Sequence, residues 1–332
     1  MAGRSDGIVL VTGGAGFIGS NLVAHLLKQG HTVRVVDDLT VGSRANLIEV
    51  ENAGNLTVVT ADIRNAADMQ TVTRDVETIY HLAVQCLRVS LSRPEFVHEV
   101  NATGTLRVLE AARQNGVDRF VYVSSSEVYG TAVATPMTED HPLAPTTVYG
   151  ASKLAGELYA LAYHRTYGVN VSIIRPFNNY GYNEHAEGAH GEAIPHFVAR
   201  ALNDESLQVF GDGSATRDFI FVTDTARGME LIGARDDLAG ETLNLAYGRE
   251  TGVAELAQLV IAATGSQSKI EHLEARPADV MRHYAANAKI EKLVGFKPEI
   301  ELEDGLARYV RWIRERTTDT GELLAGYEAR NW

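Results

Sequence analysis

The segment Ile8-Val-Leu-Val-Thr-Gly-Gly-Ala-Gly-Phe-Ile-Gly19 joins a short apolar run to a cluster of closely spaced glycines. The apolar run, Ile8 to Val11, predicts a buried strand, and residues 20–29 predict a helix. A glycine turn between a strand and a helix lets the backbone approach a ligand closely, and the N-terminus of the helix attracts negative charge. The segment therefore predicts a phosphate-binding turn, and its decisive glycines are Gly13, Gly16 and Gly19.

Short apolar runs and helical segments alternate up to about residue 176. Apolar runs without internal alternation are typical of parallel strands that are covered on both faces. Strands separated by helices indicate crossover connections, so the sequence predicts a doubly wound parallel α/β sheet of the Rossmann type. The further predicted strands are residues 33–36, 56–59, 78–82, 119–123, 171–175 and 242–245, and the longest predicted helices are residues 100–115 and 149–167.

The composition changes after Pro176, where the chain is rich in predicted loops up to about residue 221. Beyond this stretch we expect helices near residues 253–263 and 302–317. The sequence therefore predicts two lobes. Residues 1–176, with a further strand near 242–246, form a cofactor-binding lobe, and residues 177–332 form mainly a smaller, interleaved substrate-binding lobe.

Composition excludes several classes of protein. The chain has 332 residues, 45% of them apolar, and a net charge of −13. The acidic excess argues against a nucleic-acid binder and an anionic-membrane binder, since both need a basic face. The single cysteine, Cys86, excludes an internal disulfide framework and a multi-cysteine metal site. A polar N-terminus and the lack of an apolar run of about 18 residues favour a cytoplasmic protein.

An acidic residue, Asp37, ends the second predicted strand 18 residues after Gly19. A carboxylate at that position accepts hydrogen bonds from both ribose hydroxyls and repels a 2′-phosphate, so the glycine turn and Asp37 together predict NAD as the cofactor. The other residues expected to contact NAD lie in the turn or at the ends of strands: Phe17, Ile18, Asp38, Asp62, Ile63, Leu82, Ala83, Val84 and Ser124.

Tyr149 and Lys153 lie four residues apart in a predicted helix, so their side chains share one face. A free tyrosine has a pKa of about 10 and is almost entirely protonated at neutral pH. A cation about 4 Å away stabilises the phenolate by roughly 4 kcal/mol at an effective dielectric of 20, which is about three pKa units. We therefore expect Lys153, together with the charged nicotinamide ring, to make Tyr149 a usable base beside the cofactor.

A serine cluster, Ser124-Ser125-Ser126, is followed by Glu127 at the end of the predicted strand 119–123. Ligands of doubly wound sheets bind at the carboxyl ends of the strands, where these side chains emerge. A serine beside Tyr149 shares the proton of a substrate hydroxyl and stabilises developing charge. The candidate catalytic residues are therefore Ser125, Ser126, Glu127, Tyr149 and Lys153.

The glycine turn, His81-Leu82-Ala83, the stretch Ser124-Ser-Ser-Glu-Val-Tyr-Gly130 and the Tyr149–Lys153 pair resemble the extended short-chain dehydrogenase/reductase superfamily. Within it, they resemble the NAD-dependent nucleotide-sugar epimerases and dehydratases, especially those of the UDP-glucose 4-epimerase type. The resemblance covers nearly the whole chain. It implies a nucleoside-diphosphate sugar as substrate, most often a UDP-sugar, and a homodimer formed through helices 100–115 and 149–167.

The resemblance also assigns residues to the two ligands. It implies that Ser125 is the catalytic serine and Tyr149 the base, and that Asn101, near the active site, and Phe177 contact the cofactor. Two arginines and an aromatic ring suit a nucleoside diphosphate, because guanidinium groups bind phosphate in bidentate pairs and a ring stacks on the base. The implied substrate contacts are Ser125, Tyr149, Asn178, Phe210, Arg217, Arg276 and Asp279.

The family shares a first step, in which Tyr149 takes the proton of a sugar hydroxyl at C4 while NAD accepts hydride. A 4-epimerase then returns the hydride to the other face of the keto sugar and needs only Ser125, Tyr149 and Lys153. A 4,6-dehydratase also needs a base for the C5 proton, for which Glu127 is the candidate. One group of dehydratases has an acidic residue where this chain has Ser126, although another group resembles Ser126-Glu127 more closely. Because Arg276-Pro-Ala-Asp279 and Tyr284-Ala285 resemble the 4-epimerases, we favour the epimerase, with tightly bound and recycled NAD.

Two other outcomes are disfavoured. A uronate decarboxylase must bind a carboxylate, and many uronate enzymes carry Pro-Arg just after the Tyr-Gly pair, where this chain continues Tyr182-Asn183-Glu184-His185. A non-enzymatic NAD-binding sensor would not need an intact Tyr149–Lys153 pair. The segment His185–Glu192 holds two histidines and two acidic residues, but its glycines and its lack of helical spacing favour a flexible substrate-covering loop, so no metal is expected.

Overall fold

The fold was analysed in a computed structural model, which describes residues 7–184, 192–275 and 281–324. Its strands are β1 (Ile8–Thr12), β2 (Thr32–Asp37), β3 (Leu56–Thr60), β4 (Val76–His81), β5 (Arg119–Val123), β6 (Val171–Pro176), β7 (Asn178–Tyr180), β8 (Leu207–Phe210), β9 (Thr216–Arg217), β10 (Phe219–Phe221), β11 (Thr242–Leu245), β12 (Thr251–Gly252) and β13 (Ile270–Leu273). Its α-helices are α1 (Phe17–Lys28), α2 (Ala66–Val72), α3 (Leu87–Ser92), α4 (Pro94–His98), α5 (Thr105–Asn115), α6 (Val148–Tyr167), α7 (Ala193–Leu202), α8 (Val222–Gly233), α9 (Val253–Thr264), α10 (Ala288–Val294) and α11 (Leu302–Arg316).

Seven strands form the central sheet, in the order β11-β6-β5-β4-β1-β2-β3, and every neighbouring pair is parallel. The predicted doubly wound sheet is therefore confirmed. The order reverses at β1, which has β2 on one side and β4 on the other, and ligands bind at such a crevice. Successive residues of β1, Leu10 and Val11, are both fully buried in hydrophobic clusters on opposite faces of the sheet, which explains the continuous apolar run.

Helices cover both faces of this sheet. Helices α1 and α8 pack on one face, where Leu22 and Met229 join the cluster around Val11. Helices α2, α5 and α6 pack on the other face, where Val108 and Ala160 join the cluster around Leu10. None of the helices within the described ranges has the length and apolar character that a membrane crossing requires.

The second lobe is smaller and has a core of its own. It contains α7, α9 and α11 and three strand pairs, β7–β10, β8–β13 and β9–β12. Phe197, Leu256 and Tyr309 belong to its hydrophobic cluster. The chain also returns from this lobe to the central sheet, through α8, β11 and α10. We propose that these three elements belong with the cofactor-binding lobe and that the rest of residues 177–332 forms the substrate-binding lobe.

Residues 177–221 contain more regular structure than the sequence predicted. They hold α7 and the strands β7 to β10, where the sequence indicated mostly loops. Three of these strands are two or three residues long, too short to show a periodic pattern. Helix α7 does carry a readable signal, because Ile194, Phe197, Val198 and Ala201 are buried at helical spacing.

Candidate active site

A cavity of about 520 Å³ lies between the carboxyl ends of the central strands and the second lobe. It brings together residues from the turn after β1, the ends of β2, β4 and β5, the start of α6, and α7, β8 and β9. The residues singled out in the sequence that line it are Gly13, Gly16, Phe17, Ile18, Gly19, Asp37, Asp38, Asp62, Ile63, Leu82, Ala83, Val84, Ser124, Ser125, Ser126, Glu127, Tyr149, Lys153, Phe177, Asn178, Phe210 and Arg217. Arg276 and Asp279 lie outside the described residues.

Glycines shape the turn between β1 and α1. Gly13 has a positive φ of 69°, and a Cβ added to it would lie 2.7 Å from the backbone nitrogen of Ala83. A Cβ on Gly19 would lie 2.1 Å from the carbonyl oxygen of Gly13. No side chain caps the start of α1 at Phe17. The close-packed turn and the positive end of the helix dipole together suit a pyrophosphate.

Asp37 ends β2 at the cavity wall and is 8% exposed. Its Oδ2 accepts a hydrogen bond from Ala15 N at 3.0 Å, and its Oδ1 accepts one from Leu39 N at 2.9 Å. Burial raises the pKa of Asp37, and the two backbone donors oppose this rise. Each carboxylate oxygen has a second lone pair, so Asp37 has the capacity to accept from two hydroxyls of a ribose.

Asp62 reaches the cavity wall with its carboxylate held by Arg64. The Nε and Nη2 atoms of Arg64 donate to Oδ2 of Asp62 at 2.9 and 2.6 Å. These hydrogen bonds lower the pKa of Asp62, so the group is an ionised acceptor. The neighbouring Ile63 is buried and packs so tightly on Gly104 that a Cβ there would lie 2.5 Å from Ile63 Cδ1.

Among the described residues that were predicted to be catalytic or to contact a ligand, Asn101 alone does not line the cavity. It is fully buried in a π-helical turn, Glu99–Gly104, which precedes α5. Its Oδ1 accepts from Gln85 N at 2.8 Å, and its Nδ2 donates to Gln85 O and to Ser152 Oγ, both at 3.0 Å. The structure therefore gives Asn101 a supporting position, between the loop after β4 and helix α6, in place of the expected cofactor contact.

Tyr149, in the first turn of α6, and Ser125, just after β5, both line the cavity, and Ser125 is close enough to influence the Tyr149 phenol. Thr147 fixes the start of α6 by accepting a hydrogen bond from Gly150 N at 3.0 Å. Burial raises the pKa of Tyr149; the hydrogen bond with Ser125 opposes this rise, and the charge of Glu127 adds to it. The protein's own groups therefore raise this pKa, because desolvation outweighs the neighbouring interactions. The activation of Tyr149 by Lys153 together with the nicotinamide ring stays a prediction.

Lys153, in the second turn of α6, holds its ammonium group against the end of β5. Its Nζ donates to Val123 O at 2.7 Å and lies 4.6 Å from the centre of the Tyr122 ring. Burial lowers the pKa of Lys153 to about 7, and the charge of Glu157 opposes this shift. Glu157 in turn forms a bidentate pair with Arg175, at 2.9 and 2.7 Å. Two residues of α6, Lys153 and Glu157, therefore form a buried network of charged groups with Arg175.

A short 3-10 turn, Ser126–Val128, follows β5 and carries Glu127 into the cavity wall. Ser125 caps this turn, because its Oγ accepts from Glu127 N at 3.2 Å. His283 lies near the backbone of Ser126, and burial lowers the pKa of its imidazole to about 4, so His283 is neutral at pH 7. The turn that presents Glu127 therefore lies close to a buried, neutral histidine.

The second lobe brings an aromatic ring and a guanidinium to the same cavity, from Phe210 at the end of β8 and Arg217 at the end of β9. Nearby, Asn178 donates from Nδ2 to Asp218 O at 3.1 Å. Phe177 lies between the two lobes, with its ring 5.0 Å from that of His283. A stacking ring and a planar cation together suit the base and the phosphates of a nucleoside diphosphate.

Asp218, next to Arg217 in the chain, links the backbone segments of this part of the cavity wall. Its fully buried carboxylate accepts hydrogen bonds from the backbone nitrogens of Tyr247, Gly248 and Ala285, at 2.9 to 3.1 Å. Burial raises the pKa of Asp218 to about 7, and the backbone donors oppose the rise. Asp218 thus ties the strand segment that carries Arg217 to two other loops of the chain.

The family model described as "NAD dependent epimerase/dehydratase family" matches residues 9–246. This chain belongs to the NAD-dependent epimerase/dehydratase family. It is 38% identical to the UDP-glucose 4-epimerase of Mycolicibacterium smegmatis, over 93% of this chain and 99% of that protein. It is also similar to the crystal structure of DesIV, the dTDP-glucose 4,6-dehydratase of Streptomyces venezuelae with NAD and TYD bound, with a TM-score of 0.87, 38% identity and coverage of 93% and 97% of the two chains. The UDP-glucose 4-epimerase of Thermus thermophilus in complex with NAD gives a TM-score of 0.84 and 30% identity, covering 93% of this chain and 100% of that chain.

NAD is the cofactor of the epimerase/dehydratase family, and the cavity residues fit it. The glycine turn leaves room for a pyrophosphate where a Cβ would collide with backbone. Asp37 would accept from the adenosine ribose, and Ile63, Leu82 and Val84 supply an apolar wall for the adenine. Replacing a glycine of the turn with alanine or serine would add a Cβ and remove this fit, so the role of the glycines can be tested by substitution.

Replacing Gly19 with alanine is expected to lower the affinity for NAD about tenfold or more. The new Cβ would lie 2.1 Å from Gly13 O and displace the turn, and losing one hydrogen bond to a charged pyrophosphate costs about this much. The measurement is the NAD content of the purified protein, followed by titration of NAD into stripped protein. Gly54→Ala is the matched control, because a Cβ there meets open space. Equal NAD affinity in the two variants would contradict the assignment.

Several polar cavity residues in this family member were not expected from the sequence: Cys86, Arg88, Glu184, His196, Arg200 and Gln208. Glu192 also lines the cavity, and it ends the segment that the sequence analysis interprets as a substrate-covering loop. Cys86 and Arg88 follow the end of β4, so the strand-end rule could have found them. Arg200 and Gln208 lie on α7 and β8, within the stretch interpreted as loop-rich. No motif in the sequence around either residue indicates a role in ligand binding.

The predicted absence of a metal is tested only in part. Among residues 7–184, 192–275 and 281–324, no group of three histidine, cysteine, aspartate or glutamate side chains is arranged to hold a metal ion. Most of the segment His185–Glu192, namely residues 185–191, lies outside the described residues.

Proposed function

We propose that this protein is a nucleotide-sugar 4-epimerase that acts through a transient 4-keto sugar, with tightly bound and recycled NAD. The observation that carries the proposal is that Ser125, Tyr149 and the buried Lys153 line the same cavity as the glycine turn. Reversible oxidation at C4 needs one proton acceptor, one hydrogen-bond partner and one hydride acceptor. Returning the hydride to the other face of the sugar uses the same set.

Bound NAD supplies the acceptor for the C4 hydride and afterwards the donor of that hydride. Tyr149 accepts the proton of the C4 hydroxyl and gives it back once the keto sugar has turned over. Ser125 hydrogen-bonds the same oxygen and stabilises the charge that develops on it. Lys153, when protonated, and the charged nicotinamide ring of bound NAD would together favour the phenolate of Tyr149 and oppose the effect of burial.

We propose a UDP-sugar as the substrate, as in the relatives named UDP-glucose 4-epimerase. Arg217 would pair with the diphosphate, and Phe210 would stack on the base, with Asn178 beside the diphosphate. Arg276 and Asp279 are proposed as a second phosphate ligand and a ribose contact. We further propose a homodimer through α5 and α6, since α6 exposes Leu158 and Tyr167, each 57% exposed.

Incubation with UDP-glucose and UDP-galactose, followed by mass spectrometry and NMR, tests the proposed reaction. An epimerase interconverts the two sugars without a change in mass, needs no added NAD and releases no NADH. Loss of water would identify a dehydratase, and loss of carbon dioxide from UDP-glucuronate would identify a decarboxylase. Steady release of NADH into solution would overturn the recycling of the cofactor.

A 4,6-dehydratase is the second candidate, and Glu127 is the observation that favours it. This carboxylate lines the cavity, and its charge acts on Tyr149, as expected of a base for the C5 proton. Dehydration also needs an acid for the departing C6 hydroxyl. Where one group of dehydratases has that acid, this chain has Ser126, which is 5% exposed.

Replacing Glu127 with glutamine separates the two candidates. In an epimerase we expect turnover to stay within about threefold of wild type, because Glu127 takes no proton and the amide preserves its shape. In a dehydratase the loss of the C5 base would cost roughly a hundredfold or more. The measurement is the initial rate with UDP-glucose and with dTDP-glucose, each product being identified by mass. A hundredfold loss of epimerisation would give Glu127 a role that the proposal does not include.

A further inference from the structure

The wall that the second lobe contributes to the cavity contains a stretch of chain that spans β9 and β10. Ala215, Arg217 and Phe219 line the cavity. Thr216 and Asp218, which alternate with them, do not. Such alternation is typical of extended chain, in which successive side chains point to opposite sides. Asp218 therefore lies behind the wall, and its two neighbours in the chain are both wall residues.

Three backbone N–H groups converge on the carboxylate of Asp218, which is fully buried. Tyr247 N donates to Oδ1 at 2.9 Å, and Ala285 N donates to Oδ2 at 3.1 Å. Gly248 N lies 3.1 Å from Oδ1 and 3.0 Å from Oδ2. A carboxylate satisfies all three donors because it has two acceptor oxygens and no hydrogen of its own, whereas an asparagine amide would direct an N–H at one of them.

The segment that contains Ala285 is bonded on two sides. On one side, Met137 N donates to Tyr284 O and Ala286 N donates to Met137 O, both at 2.9 Å. Ala285 N lies between these two bonds and donates to Asp218 instead. The carboxylate of Asp218 thus occupies the place of a neighbouring strand, and it also binds the loop after β11. Without it, three buried N–H groups would lose their acceptor, and the wall stretch would lose its link to both segments.

The position of this stretch decides where Arg217 can reach. A guanidinium and a phosphate form two parallel hydrogen bonds only when the two groups are aligned, so a small displacement of the backbone weakens the pair. The carbonyl oxygen of Asp218 also accepts a hydrogen bond from Asn178 Nδ2 at 3.1 Å, and Asn178 lines the same part of the cavity. The glycine turn and Asp37, which suit NAD, lie on other elements, after β1 and at the end of β2.

We propose that Asp218 is a positioning residue for the diphosphate of the substrate: its carboxylate holds the backbone of Arg217 where the guanidinium pairs with the phosphates. The inference rests on the proposed function, because it concerns the nucleotide bound at the same site. Asp218 does not line the cavity and acts through Arg217 alone. Loss of the carboxylate therefore weakens the binding of a nucleoside diphosphate and leaves the NAD site and the proton transfer at Tyr149 unchanged.

Asp218→Asn keeps the size of the side chain and replaces one acceptor with a donor. UDP is titrated into the NAD-loaded protein by calorimetry, and NAD is titrated into the stripped protein. D218N is expected to bind UDP about tenfold more weakly, because a charge-assisted pair is misaligned, and to bind NAD within about twofold of wild type. With UDP-glucose, KM should rise about tenfold while kcat stays within about threefold, because the lost interaction is one of binding.

Asp224→Asn is the matched control. Asp224 is 2% exposed, and its Oδ2 accepts from two backbone nitrogens, Glu299 N at 2.8 Å and Ile300 N at 2.9 Å. Neither Asp224 nor its neighbours in the chain line the cavity. D224N should lose stability to urea as D218N does, yet keep the UDP affinity of wild type. An equal loss of UDP affinity in the two variants would show a general effect of destabilisation and would overturn the inference.

Arg217→Gln tests whether Asp218 acts through Arg217. Adding D218N to R217Q should weaken UDP binding less than about twofold further, because the guanidinium to be positioned is gone. A further tenfold loss in the double variant would overturn the inference. If D218N does not fold, Asp218→Ser is measured in the same way, since the smaller side chain leaves room for a water to accept from the freed N–H groups. D218S should show the same selective loss of UDP affinity, and wild-type affinity in D218S would overturn the inference.

The outcomes for the two proposals are distinct. If wild type epimerises UDP-glucose but D218N binds UDP as tightly as wild type, the inference fails and the proposed function stands. If D218N loses UDP affinity selectively but wild type does not epimerise UDP-glucose, the inference stands and the proposed reaction fails. A wild-type protein that binds neither UDP nor dTDP overturns both proposals.

Discussion

Tyr149→Phe is expected to lower the turnover of UDP-glucose at least about a hundredfold, because general acid–base steps contribute roughly 10² to 10⁴. The phenylalanine ring fills the same space beside Ser125 but neither accepts nor returns the proton of the C4 hydroxyl. Binding of UDP-glucose should change far less than turnover, since the diphosphate and base contacts are proposed at Arg217 and Phe210. Initial rates and calorimetric affinities of the NAD-loaded protein measure the two effects.

Tyr159→Phe is the control for this substitution. Tyr159 lies on the same helix, α6, is 36% exposed and does not line the cavity. The control should retain wild-type turnover. Should Tyr149→Phe also turn over at a near-wild-type rate, Tyr149 would be excluded as the base, and with it the proposed reaction.

Glu157→Ala is expected to lower the free energy of unfolding by about 3–5 kcal/mol, the usual cost of removing one partner of a buried ion pair. Glu157 and Arg175 are 1% and 4% exposed, and Arg175 Nη1 also donates to Tyr129 Oη at 2.9 Å. Without Glu157 the guanidinium would stay buried without its carboxylate. The charge that opposes the lowered pKa of Lys153 would be lost as well. Urea denaturation at constant NAD concentration measures the change.

The contrast for Glu157 is an ion pair on the surface. Asp304 and Arg308, on α11, are separated by 2.7 Å but are 54% and 44% exposed, so Asp304→Ala should cost about 1 kcal/mol or less. A loss of stability in Glu157→Ala no greater than in Asp304→Ala would show that the Glu157–Arg175 pair contributes no more than a solvated pair.

The central sheet was predictable because its strands are buried on both faces and need continuous apolar runs. The predicted strand at residues 119–123 coincides with β5, and the strand predicted from Thr242 to Leu245 coincides with β11. The short strands of the second lobe were not predictable in the same way. β7 is only three residues long and pairs with β10, about 40 residues further along the chain, so its strand conformation depends on a distant partner.

The residues of the candidate site also differ in how far the sequence predicts them. Gly13, Gly19 and Asp37 were predictable because their positions follow from a local strand–turn–helix pattern. The partners of Asn101 were not predictable, because it lies in a π-helical turn and its side chain bonds to Gln85 and Ser152, which are distant in the sequence. The pairing of Arg88 with Glu192 joins residues 104 positions apart and has no signature in the sequence.

The edge strand β11 has a consequence for how the protein is made. It covers β6, whose six residues are all buried, yet it follows β6 by about 65 positions in the chain. During synthesis on the ribosome, β6 emerges first and presents an uncovered apolar edge until Thr242–Leu245 arrives. Uncovered edges of this kind template association between chains. The nascent polypeptide is therefore most prone to aggregation during that interval, and any fragment that stops near residue 176 keeps the same exposed edge permanently.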